Sequence, residues 1–206
     1  MGTVQHLARP AEAVNFVAFA LGRAGGRLPV YVDGSDAVAC WLPCEPGLGE
    51  ELWRRAHRWD LERSWQVEVG APRSRDGVLM SAVLWVWATS PESLARAARF
   101  RPAPAFVLRF GGSSERLCVW PLEEPVDWGR AQLLNERIAY AIHAPRTRAA
   151  PAALRIPLPG TFLRVGRSRP APVLVTRMDL DVFAPGQVAG RLKDPPPPDA
   201  WKQRAS

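Results

Sequence analysis

Cysteine and lysine are scarce in this sequence, and histidine never clusters. The three cysteines, Cys40, Cys44 and Cys118, make no framework of the kind that staples small secreted domains, so the expected setting is reducing and cytoplasmic. Cys40 and Cys44 form a Cys-x-x-x-Cys pair, but no second Cys or His pair stands at a zinc-site spacing. All three cysteines are expected as small buried hydrophobes. His6, His57 and His143 lie far apart in sequence, which argues against ligand roles, and Cys118 has no His near it for a nucleophile pair. No apolar stretch reaches membrane-spanning length. The first residues lack the charged-then-apolar plan of a secretory leader, and His6 stands where a myristoylation signal needs Ser or Thr. No Gly-x-x-x-x-Gly-Lys-Ser/Thr phosphate loop occurs, and the Gly22–Gly26 run reads as a helix stop. There is no internal repeat.

What is present is a core and a localised charge. Hydrophobic residues make up 47% of 206 positions, with nine Trp, enough for one compact domain or one domain of two lobes. The net charge is +7, and apart from Lys193 and Lys202 every basic residue other than His is Arg. Residues 129–177 carry nine Arg against one acid, Glu136, while the flanking segments nearly balance. Such a block is the expected footprint of an anion-binding face, although a merely soluble basic surface has the same composition.

Periodicity predicts a helix over Pro10–Leu21, strands at Leu28–Val32 and Val38–Leu42 forming a hairpin, and a helix over Gly49–Trp59. A strand follows at Trp65–Val69. Val78–Thr89 is too apolar for a half-exposed strand and is expected at the centre of a sheet. Ser90-Pro91-Glu92 opens a helix, with Ser90 as cap. Phe106–Phe110 and Leu117–Leu122 are expected to pair across the Gly111–Ser114 turn. Trp128–His143 should be the longest helix, followed by a loop at 144–153, a strand at Val173–Arg177 that Asp179–Phe183 continues or succeeds, and a short helix over Pro185–Leu192. Residues 1–193 read as a single domain, and 194–206, with Pro195–Pro198, as a disordered tail. Helices alternating with hairpins indicate a mixed α+β or α/β class.

Residues 70–192 carry a series of phrases in a telling order: LMSAVLWVWAT, PESLARAARF, AFVLRF, the Gly-Ser turn, RLCVWPLEEPVDW, a long helix, and LRIPLPGTFLR. In this order the chain resembles the archaeo-eukaryotic primase superfamily, in particular the primase-polymerases of plasmids, phages and integrative elements. The resemblance implies an α+β fold with an α/β module beside a module like an RNA-recognition motif. It also implies two Asp at the end of the first strand, a Ser-x-His on the second, and another Asp before the closing Leu-Arg-x-Pro-Gly-Thr. Here Trp87 and Thr89 stand where the two Asp are expected, Leu117 falls near the His with Ser113 or Ser114 near the Ser, and residues 144–153 contain no acid. Trp120, Glu124, Pro125, Val126, Leu154, Arg155, Pro159, Gly160, Thr161 and Arg164 match the family's pattern, with two extra residues inside the last phrase.

Template-directed nucleotidyl transfer needs divalent cations held by carboxylates. Indole cannot ligate Mg²⁺, and a lone Thr hydroxyl is a poor ligand. The expectation is therefore a catalytically inactive relative that keeps a nucleic-acid-binding frame, with no cofactor. Its partners would be single-stranded DNA or a primer–template junction, and an active replication protein of a mobile element; no membrane is involved. Arg155 and Arg164 are the expected phosphate contacts, with further charge from Arg146, Arg148, Arg167 and Arg169. Trp120 or Trp128 are expected in the core, with base stacking as the other role open to them. Two other readings stand beside this one. A residual nucleotidyltransferase would hold Mg²⁺ or Mn²⁺ on the relocated pair Asp179 and Asp181, which share a strand face. A protein-interaction module would use the basic block against an acidic protein, with Trp87 filling the vacated metal site. Asp33 and Asp36 read as turn residues, and Glu123-Glu124 as a strand end.

Overall fold

Two antiparallel sheets carry the chain, each built where the sequence alternates or runs apolar. The computed structural model describes residues 10–23, 27–32, 37–43, 51, 65–69, 79–145, 154–163 and 171–197. The elements are α1 (Pro10–Phe16) continuing into a π-turn (Val17–Leu21), β1 (Arg27–Val32), β2 (Val38–Pro43), β3 (Trp65–Val69), β4 (Met80–Ala88), α2 (Pro91–Arg99), β5 (Phe106–Phe110), β6 (Arg116–Asp127), α3 (Trp128–Ala141), β7 (Leu154–Pro157), β8 (Phe162–Leu163), β9 (Ala171–Met178) and α4 (Pro185–Ala189). The first sheet has the order β2-β1-β3-β7 and the second β4-β6-β5-β9-β8. The fold class is mixed α+β, as the sequence indicates. Gly49–Trp59, expected as a helix, lies outside the described residues apart from Glu51.

In the second sheet, β4, α2 and β5 form a split β-α-β unit, with β6 inserted antiparallel between two strands that run the same way. Local chemistry sets its helices. Ser90 Oγ accepts from Ser93 N at 3.1 Å while Ser93 Oγ accepts from Ser90 N at 3.0 Å, a reciprocal cap ahead of α2. Asp127 Oδ1 accepts from Arg130 N at 2.8 Å and starts α3.

One placement differs from expectation. The apolar run at β4 was expected at the centre of its sheet, but β4 is an edge strand, paired among the described residues with β6 alone. The run is apolar because both faces are covered. Val83 and Trp85 belong to one core, and Leu84, Val86 and Ala88 to another beneath α2 and α3. Layers cover faces, whereas hydrogen-bonded neighbours cover edges, and apolarity reports only the former. The edge is tended by a helix side chain: buried Asn135 of α3 accepts from Trp85 N through Oδ1 at 2.9 Å. This removes an open amide from a strand that could otherwise template pairing.

Asp179–Phe183 forms no strand. Phe183 makes a single parallel bridge to Leu122 of β6 and exchanges hydrogen bonds with Pro121 and Glu123. Asp194, the first residue of the expected tail, accepts from Arg137 Nε at 2.7 Å.

The first core joins the two sheets. Leu28, Val30, Leu42 and Val67 of the first sheet pack with Trp85, Phe106, Leu108, Leu117, Val119 and Val173 of the second, and with Phe16, Val17 and Leu21 from the N-terminal helix. Phe16 meets Phe106 edge-on at 5.3 Å. The closing phrase supplies the turn between the sheets. Gly160 has φ 75°, a conformation that glycine adopts without strain, and its N–H donates to Val173 O at 2.7 Å. Buried Thr161 donates its hydroxyl to Leu158 O at 2.7 Å, and its carbonyl accepts from Val173 N at 2.9 Å.

Candidate functional site

Strand register decides what stands at the motif positions. Trp87 of β4 lies directly opposite Leu117 of β6, and Leu117 opposite Leu108 of β5, in one cross-strand row. The position expected for a catalytic acid and the position expected for the phosphate-binding His are therefore neighbours in space. Both point toward the core between the sheets. Leu117 is fully buried, and the Trp87 ring packs on Phe110 with centroids 4.9 Å apart. Thr89, two residues beyond Trp87, is half-buried just past the end of β4.

These residues do not fit a divalent cation. Trp, Leu and Phe offer no oxygen, and among the described residues no group of three or more His, Cys, Asp or Glu comes together. The Asp179/Asp181 pair lies at the other end of the sheet. Met178 is paired with Phe106, in the row of Trp85, whereas Thr89 lies past the opposite strand end. Arg177 donates to Asp179 Oδ2 through Nε at 2.8 Å and also through Nη2, and Asp181 is exposed. Asp179 is thus engaged with a cation already, in an exposed pair of small energetic weight.

Of the arginines expected to contact phosphate, only Arg155 lies among the described residues; Arg146, Arg148, Arg164, Arg167 and Arg169 lie outside them. Arg155 sits on β7 opposite Glu68, one residue from Ile156, whose partner Val67 is in the core. Alternation therefore puts Arg155 on the far face of the first sheet, away from Trp87 and Leu117. Its guanidinium stacks on Tyr31 with Cζ 3.7 Å from the ring centroid. Nor is the basic block a block throughout: Arg137 and Arg177 are paired with Asp194 and Asp179, acids from the C-terminal segment.

Trp120 is a core residue, fully buried, with Nε1 donating to Pro102 O at 2.9 Å. Trp128 is partly buried against Trp85 at 5.4 Å. Buried Cys118 has its thiol pushed up to about 12 by burial, with Arg116 pulling the other way, so it stays protonated and inert. Cys40 is half-buried, and Cys44 lies outside the described residues. His143 stands at φ 59° after α3, with Nδ1 3.3 Å from Glu92 Oε1.

The sequence reading missed Arg109 and Arg116, because they fall in the segment whose net charge is near zero. They are direct cross-strand partners on the face of the second sheet that carries Cys118. The signal was available: a hairpin centred on Gly111–Ser114 with the observed register places Arg against Arg.

This architecture is that of primase-polymerase domains. The chain is similar to the primase-polymerase domain of cyanophage S-2L, at TM-score 0.55 and 14% identity over 89% of this chain and 97% of that one. It is similar too to the primase RepB′ at TM-score 0.57 and 13% identity, covering 95% of this chain and 62% of RepB′. The catalytic domain of RepB′, solved in complex with initiator DNA, matches at TM-score 0.57 and 14% identity over 95% of this chain and 93% of that one. No family model and no curated protein matches the sequence. Likeness at this identity establishes the fold. Among the described residues no helix is long and apolar enough to cross a membrane.

Proposed function

We propose that this protein is a catalytically inactive primase-polymerase relative that binds nucleic acid as an accessory or regulatory factor in DNA replication. The observation that carries the reading is the Trp87–Leu117 pair. Two positions that the resemblance assigns to metal and phosphate chemistry are adjacent, and both carry apolar side chains. The Trp87–Phe110 contact supports a packing role there in place of a ligating one. Nucleic-acid binding is supported by the fold shared with a domain solved in complex with initiator DNA, and by the Arg excess in residues 129–177. Guanidinium groups fork onto phosphates and stack on bases, which suits a single strand or a primer–template junction.

The test has two halves. With Mg²⁺ or Mn²⁺, the full chain incorporates no nucleotide on a primed template; incorporation abolished by Asp179→Ala would instead establish the relocated carboxylate pair. In fluorescence anisotropy with a labelled single strand and a primer–template, affinity falls steeply with salt. Arg155→Ala/Arg164→Ala then reduces the log–log slope by about 1 per residue. Absence of binding at low salt would leave the fold as a protein-interaction module.

A further inference from the structure

The outer face of the second sheet carries two arginines whose arrangement is costly and, among the described residues, uncompensated. Arg109 and Arg116 are opposed as Cα partners on β5 and β6. Like charges directly opposite in an antiparallel pair repel, and neither residue has a carboxylate partner among the described residues. Arg116 spends Nη1 on the carbonyls of Ser113 at 2.7 Å and Glu115 at 2.9 Å, which fixes the guanidinium beside the hairpin tip without neutralising it. Arg109 Nε is buried and finds no acceptor among the described residues. A buried donor without an acceptor is uncommon in folded proteins and asks for an explanation. Glu115 precedes Arg116 in the chain, and Asp179 lies past the other end of β5 and is engaged by Arg177.

Both arginines are half-buried. Helices α2 and α3 pack over β4 and β6 on this side, while Thr176 and Arg177 on β9, beyond β5, are exposed. The Gly111–Ser114 tip adds hydroxyls, and Gly112 has open space where a Cβ would stand. This face is the reverse of the one carrying Trp87 and Leu117, because Arg116 and Leu117 are consecutive in a strand.

We propose that Arg109 and Arg116 form a phosphate-binding site on the outer face of the second sheet, separate from the Trp87–Leu117 position. A phosphate would accept from the outer guanidinium N–H groups of the two residues, and the anion would convert a repulsive pair into a clamp. Guanidinium groups bind phosphate bidentately. The phosphate belongs either to a polynucleotide strand or to a free nucleotide.

The experiment uses the full chain with Arg109→Gln, Arg116→Gln and, for comparison, Arg155→Ala/Arg164→Ala. Thermal unfolding is followed with inorganic pyrophosphate against sodium chloride of equal ionic strength. Pyrophosphate is expected to raise the melting temperature of the unaltered protein, and either Gln substitution to lower the apparent affinity by about tenfold or more. Without anion, Arg116→Gln is expected to melt no lower than the unaltered chain, because it relieves the repulsion; this also shows that the variant folds. The Arg155→Ala/Arg164→Ala protein keeps the pyrophosphate effect, so the site and the proposed function stand or fall separately. Anisotropy with a labelled single-stranded oligodeoxynucleotide and thermal shifts with dATP identify the source. Loss of strand binding, with a salt slope reduced by about 1 per Arg, assigns the phosphate to a strand; loss of the dATP effect alone assigns it to a nucleotide. A pyrophosphate effect that is absent from the unaltered protein, or unchanged in both Gln variants, overturns the proposal.

Discussion

Removing the Asn135 carboxamide should expose how the edge of β4 is held. Its Oδ1 is the acceptor for Trp85 N at 2.9 Å, and Asn135 and Trp85 are both fully buried. Asn135→Ala leaves the Trp85 amide facing a small void. An unsatisfied buried donor costs about 1–3 kcal/mol, with the lost contacts of the carboxamide in addition. The bond is not free of counterweight, since Asn135 Nδ2 has no acceptor among the described residues, and its deletion returns part of that cost. A net destabilisation of about 1–3 kcal/mol lowers the melting temperature of a chain this size by roughly 3–10 °C. Asn135→Asp keeps an oxygen for the amide but makes the carboxyl buried, which favours its neutral form, so this variant is more stable at mildly acidic pH than at pH 8. Amide exchange at Trp85 supplies the local readout, expected to accelerate in Asn135→Ala far more than exchange at Val86 or Leu84. Unchanged stability in Asn135→Ala together with unchanged Trp85 protection would show that the edge needs no side-chain acceptor, and the reasoning fails.

Other perturbations give equally definite outcomes. Leu117→His, which restores the residue type the resemblance expects, should lower stability by a few kcal/mol through an unpaired buried imidazole and yield no Mg²⁺-dependent incorporation; activity gained without loss of stability refutes the packing role. Because Cys118 ionises near 9.0 when unperturbed and at about 12 in the fold, its contribution is complete below pH 9 and is lost as pH rises toward 12. The decline reaches at most about 1.4 kcal/mol per pH unit, and denaturant titrations of Cys118→Ala should lack this component. His143 pays for a left-handed backbone at φ 59°, so His143→Gly should hold or raise the melting temperature, whereas His143→Val should lower it by more than about 1 kcal/mol equivalent.

Elements whose identity follows from short-range pattern were legible in the sequence. The Leu28–Val32/Val38–Leu42 hairpin, the Ser90 cap, the pairing across Gly111–Ser114 and the long helix after Asp127 all follow from local chemistry, and each is present. The position of β4 was not legible, because an apolar run records how many faces are buried and says nothing of which edge is paired. The adjacency of Trp87 and Leu117 depends on the β4–β6 register, which no hairpin turn sets because α2 and β5 lie between the two strands. Charge misled in a different way. A one-dimensional tally joined Arg137 and Arg177 into a basic block, although their acidic partners come from later in the chain. The same tally hid Arg109 and Arg116 among acids that do not face them.

The first sheet has a consequence for the order of assembly. Strands β1 to β3 come early, but Val69 finds its partner in Leu154, after β4, β5 and β6 have all been made. During synthesis the β3 edge therefore waits, with unpaired amides and carbonyls, while β4, β5 and β6 pair. Loop closure across so much chain is slow relative to local hairpin formation. Refolding should then show β4, β5 and β6 protected from amide exchange before β7 docks. A truncation ending before Leu154 removes the partners of both β3 and β5 and should populate a species with two open edges, prone to self-association.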